Sequence, residues 1–159
     1  MLKDEELAAA LLAGLKMEVM MFDYYDWILP KIKGAAAKQE IAKIRLQELN
    51  HAGVANGILR EIVMSPAVFS TSMSQTGFEQ SKIILPHLTP IDIRDMTLPQ
   101  ALKSCYTMER DYEGAYRKIF SDVRDAAAKA QLMVLVMESG AHAQSISRIL
   151  KAIGEEAPE

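Results

Sequence analysis

The sequence predicts an all-α fold: an antiparallel four-helix bundle made of two helical hairpins joined by one long crossover. Three observations carry this expectation. Apolar residues recur at spacings of three and four over four long stretches. Pro and Gly punctuate the chain at their ends, and a run rich in Pro, Ser and Thr separates the second stretch from the third. At 159 residues, half of them apolar, the chain has the size and core of one domain, read here as 1–159.

Helix 1 is expected over about 3–29, where no Pro intervenes until Pro30 stops it. After a break around Lys31 to Gly34, helix 2 is expected over about 35–64, rich in Ala, Leu, Ile, Lys and Glu and closed by Ser65 and Pro66. The crossover, about 65–97, carries Pro66, Pro86, Pro90 and the run from Ser70 to Gly77. Its His87 reads as a surface or locally bonded imidazole. Thr97 is the expected N-cap of helix 3, about 98–120, with Pro99 in the first turn. Ser121 or Asp122 is expected to cap helix 4, about 122–153, which Gly154 ends.

Charge narrows the function classes. Lys and Arg total 18 against 21 Asp and Glu, a net charge of -3, so no basic field favours nucleic acid. The acidic start, Met1 to Glu6, and the short apolar stretch from Leu7 to Leu15 match neither a secretion signal nor a membrane span. With Cys105 as its single cysteine, the chain is expected in a reducing cytoplasm and holds no four-cysteine metal module. Cys105 itself reads as a packed core thiol.

An internal repeat points to chemistry. At an offset of 91, Glu18 falls on Glu109, Tyr25 on Tyr116 and His51 on His142, together with Met17 on Met108, Ile28 on Ile119, Ala52 on Ala143 and Leu59 on Leu150. A duplicated helical hairpin explains these coincidences. Glu18 and Tyr25 lie about 10 Å apart on one helical face, as do Glu109 and Tyr116. In Glu48-Leu49-Asn50-His51 a carboxylate and an imidazole three residues apart can reach one ion cluster. The second half departs from this pattern: the counterpart of Glu48 is Ser139, and the nearby carboxylate, Glu138, stands four residues before His142. A π-bulge near Gly140 could re-aim it. Glu113, one turn after Glu109, is either an extra ligand or a solvated residue. Four carboxylates and two neutral imidazoles balance two divalent cations, and without metal the carboxylates repel one another. Imidazole with carboxylate suits iron or manganese.

The two Glu-x6-Tyr elements, each followed by a Glu/His pair, resemble the rubrerythrin branch of the ferritin-like di-iron carboxylate superfamily, over roughly residues 3 to 153. The resemblance implies a di-iron centre, with manganese or mixed metal as variants, that reacts with hydrogen peroxide or oxygen. Carried over by position, Glu18 and Glu109 are terminal ligands, Glu48 and Glu138 bridge, and His51 and His142 ligate one metal each. Tyr25 and Tyr116 orient carboxylates from outside. The same resemblance implies a homodimer. Rubrerythrins carry a rubredoxin-like cysteine module that is missing here, so electrons are expected from an external donor protein. The competing readings are a ferroxidase that handles iron and a metal-free helical interaction protein.

Overall fold

The computed structural model describes residues 4–62 and 92–159. Within them the chain forms four α-helices, and no strand occurs among the described residues. They are α1 (Asp4–Ile28), α2 (Ala35–Ile62), α3 (Leu98–Asp122) and α4 (Ala126–Ala152). The expected crossover lies outside the described residues up to 91, as does His87. No described helix is long and apolar enough to cross a membrane.

Each helix end has a local cause. At the end of α1, Pro30 falls in a 3-10 turn, Leu29–Lys31, and Gly34 turns the chain into α2 with φ of 96°, a conformation that favours a residue without Cβ. Thr97 caps α3 as expected. Its hydroxyl accepts from the Gln100 amide, while the Gln100 side chain accepts from the Thr97 amide at 2.9 Å, a reciprocal capping box. The start of α4 differs from expectation. The cap is Asp125, whose carboxylate accepts from the Ala128 amide at 2.7 Å, because α3 runs on through Ser121 and Asp122. Buried Val123 then fixes the extended corner between the two helices.

Packing is closest between α1 and α2 and between α3 and α4, with lesser contacts from α1 to α3 and from α2 to α4. That arrangement is consistent with a helical bundle. The first half of α1 is buried on all sides from Leu7 to Gly14, and elsewhere the helices bury stripes at spacings of three and four. On α2 the stripe is Ile41, Ile44, Glu48, His51, Ala55 and Ile58, and on α4 it is Leu132, Leu135, Ser139, His142, Ile146 and Ile149. On α1 and α3 the stripes include Glu18 and Glu109. These polar residues thus occupy positions that packing alone would fill with Leu or Ile.

Candidate metal centre

Burying a carboxylate without a partner is among the least favourable events in folding. The core nevertheless holds three, Glu18, Glu48 and Glu109, each 0% exposed, together with His51 at 0% and His142 at 2%. Each of the four helices contributes at least one. Two tyrosines engage the carboxylates crosswise. Tyr25 Oη on α1 donates to Glu109 Oε1 on α3 at 2.6 Å, and Tyr116 Oη on α3 donates to Glu18 Oε1 on α1 at 2.5 Å. The remaining carboxylate oxygens, Glu18 Oε2, Glu109 Oε2 and both of Glu48, have no hydrogen-bond partner.

The imidazoles show the same division between held and unheld atoms. Each ring is gripped from behind at Nε2. His51 Nε2 lies 2.5 Å from Glu138 Oε2, and His142 Nε2 lies 3.2 Å from Gln47 Oε1. An oxygen acceptor at Nε2 keeps the proton there in the neutral ring and turns the Nδ1 lone pair inward. Both Nδ1 atoms are buried and lack hydrogen bonds. They lie close to the carboxylates: His142 Nδ1 is 2.9 Å from Glu48 Oε1 and 3.4 Å from Glu109 Oε1, and His51 Nδ1 is 3.4 Å from Glu18 Oε2 and 3.8 Å from Glu48 Oε2. The two rings stack with centroids 5.3 Å apart.

These contacts repeat under exchange of the halves. Adding 91 to each member of the pair Tyr25 and Glu109, or subtracting it where needed, gives Tyr116 and Glu18, and the same operation converts His51 with Glu138 into His142 with Gln47. Glu138 is therefore the counterpart of Gln47. Expected as a bridging ligand, it stands instead behind His51, with its side chain 32% exposed. α4 is a regular α-helix with no π-bulge, and residue 138 lies beside its buried stripe while Ser139 lies on it. Glu113 likewise points elsewhere: its carboxylate pairs with Arg110 at 2.6 Å and Arg117 at 2.8 Å. Cys105 is buried, and burial pushes its thiol well above the ordinary range.

Proton affinities register the crowding. Burial raises the Glu48 carboxyl well above the usual range, and the neighbouring Glu109 and Glu18 charges add to the effect. Burial acts the same way on Glu18, but the nearby His51 ring and Glu48 carboxyl and the hydrogen bond from Tyr116 outweigh it, and its carboxyl is lowered. His51 is opposed by burial yet driven up to about 9 by Glu18 and Glu138. Without a cation, then, protons compensate part of the buried negative charge.

Glu48, His51 and His142 each offer a ligand atom within 4.8 Å of the others, so this buried group could hold a metal ion. No protein family, curated protein or solved structure matches the chain. The donor set, unpartnered carboxylate oxygens and inward-facing imidazole nitrogens with no thiolate among them, suits a divalent cation that is not soft.

Sequence reasoning missed two roles. Gln47 holds His142 in place, and the offset of 91 already pairs it with Glu138. Tyr112 is buried, its hydroxyl has no partner, and its phenol is pushed up by burial and then by the Glu18, Glu109 and Glu48 charges. Its place on the α3 stripe, one turn after Glu109, is the signal that could have found it.

Proposed function

We propose that the chain is an antiparallel, ferritin-like bundle of the rubrerythrin kind, binding two iron ions and reducing hydrogen peroxide or oxygen with electrons from an external donor protein. One observation carries the metal part of this reading. Six atoms on four helices, His51 Nδ1, His142 Nδ1, Glu18 Oε2, Glu109 Oε2 and both Glu48 oxygens, are buried without hydrogen bonds. Buried polar atoms are nearly always paired, and a cluster of six acceptors is what a cation pair would satisfy together. The reaction itself rests on the resemblance.

Glu18, Glu48, His51, Glu109 and His142 would hold the ions. When bound, a pair of ferrous ions supplies two electrons, which with two protons convert hydrogen peroxide to two waters. The chain's own residues position and exclude. Tyr25 and Tyr116 fix one oxygen of Glu109 and Glu18 and leave the other for the metal. Glu138 and Gln47 orient the two imidazoles. The apolar stripes above and below keep bulk water away from the ligands. Partly exposed Glu138 also joins His51 to the surface, a path by which protons can enter a site whose other groups are enclosed.

The test is anaerobic loading with ferrous iron, removal of free metal, and elemental analysis followed by addition of peroxide. Two ions retained per chain and rapid, stoichiometric loss of peroxide are expected, with metal retention lost in Glu48→Ala. Retention no greater than in that variant would overturn the metal reading. Metal without peroxide turnover would overturn the reaction.

A further inference from the structure

Exchange of the two halves leaves one site residue unmatched. Glu48 lies between the imidazoles, whereas its counterpart, Ser139, is too short to reach as far. Ser139 is 0% exposed and its Oγ has no hydrogen-bond partner. It shares the buried stripe of α4 with His142, one turn away, as Glu48 shares the α2 stripe with His51, so its hydroxyl belongs to the same interior face.

The neighbouring helix offers a second buried hydroxyl. The Glu113 carboxylate of α3 rests on Gly140 of α4, its Oε2 3.2 Å from where a Cβ would stand, so the two helices approach at this point. Tyr112 Oη, on the buried face of α3, is unpartnered as Ser139 Oγ is. Two unpaired hydroxyls on facing helices of a closed core ask for an acceptor.

The ligand set shows the same gap. Glu18, Glu48 and Glu109 turn unpartnered oxygens inward, while the fourth carboxylate, Glu138, is spent behind His51. What the ion-facing set lacks on the α4 side is one carboxylate ligand. Beyond Cβ, a Glu side chain carries the heavy atoms of an acetate, where Ser carries one oxygen. The difference is the size of formate.

We propose that the position opened by Ser139 binds a small monocarboxylate of formate or acetate size, which completes the ligand set and accepts hydrogen bonds from Ser139 and Tyr112. The inference rests on the two-metal reading above and adds a solute-binding site to it. The centre is thereby built to take its last carboxylate from solution, and its occupancy follows the concentration of that solute.

The experiment uses the full chain loaded with cobalt(II), whose visible absorption reports its ligands, and titrates it with sodium formate at constant ionic strength. A saturable spectral change is expected for the wild type. Ser139→Glu supplies the carboxylate from the chain, and Ser139→Leu fills the space without supplying a ligand. Both are expected to keep cobalt and to weaken formate binding by about tenfold or more. If Ser139→Glu fails to fold, Ser139→Leu decides. Cobalt retained with no saturable response to formate, or with a response of equal affinity in the folded variants, overturns the inference and leaves the metal reading standing. Failure of the wild type to retain cobalt overturns both.

Discussion

An imidazole that offers one nitrogen to a cation needs an acceptor at the other, and the two histidines find different ones. His51 faces the Glu138 carboxylate and His142 the Gln47 amide. A carboxylate raises the basicity of the ring it holds more than an amide does, so the two imidazoles are unequal donors. Glu138→Gln would make them alike. It is expected to weaken metal binding by about tenfold, measured by competition with a chelator, since outer partners of ligating histidines contribute on that scale. Unchanged affinity would show that Glu138 does not act through His51. The place of Glu138 is legible in the repeat itself. As the nearest carboxylate before His142 it reads as a ligand, yet the offset that pairs the histidines pairs it with Gln47. The three-and-four periodicity of α4 puts 139 on the stripe and 138 beside it.

At the scale of whole helices, two glycines mark close approaches and predict opposite outcomes. A Cβ on Gly14 of α1 would stand 2.9 Å from Tyr116 Oη, and that hydroxyl is held by Glu18 inside the core. Gly14→Ala is therefore expected to destabilise the protein by about 1–3 kcal/mol, because Tyr116 can yield only by giving up its bond. At Gly140 the neighbour is the Glu113 carboxylate, at the end of a flexible side chain near the surface. Gly140→Ala is expected to stay within about 1 kcal/mol of the wild type, the better helix propensity of Ala offsetting a small shift of Glu113. Urea melts of the two metal-free variants check both. Equal destabilisation would mean that the Tyr116 contact is not rigid. The helices themselves were largely legible, because caps and breakers are local: Pro30, Gly34 and Thr97 act where the sequence puts them. The start of α4 was not, since Ser121, Asp122 and Asp125 are all competent caps. Burial of Val123 chooses among them, and burial is a property of the assembled structure.

The molecule as a whole carries a pH signature. The folded value for His51 is about 9 against 6.5 for the free side chain, so its protonation favours folding fully below 6.5 and progressively less as pH climbs to 9. Glu48, raised above 4.5, works in the same direction, since the folded protein resists its ionisation. Glu18, lowered below 4.5, adds stability above that value and loses it in acid. Between about pH 6.5 and 9 the metal-free protein should therefore melt at steadily lower temperature. Metal displaces the His51 proton, so metal affinity should rise over the same window and the loaded protein should hold its melting temperature. Parallel decline of both forms would remove the cluster as the cause. Nor is the crosswise tyrosine pairing only a matter of orientation. The hydroxyl that steadies Glu18 belongs to the second half of the chain, and the one that steadies Glu109 belongs to the first. Either half in isolation contains carboxylate, imidazole and phenol, and either would leave its own carboxylate swinging. Under the proposed metal reading, cation capture would report assembly: retention of an ion would require the two halves to have docked in register, because each carboxylate is steadied from the other half.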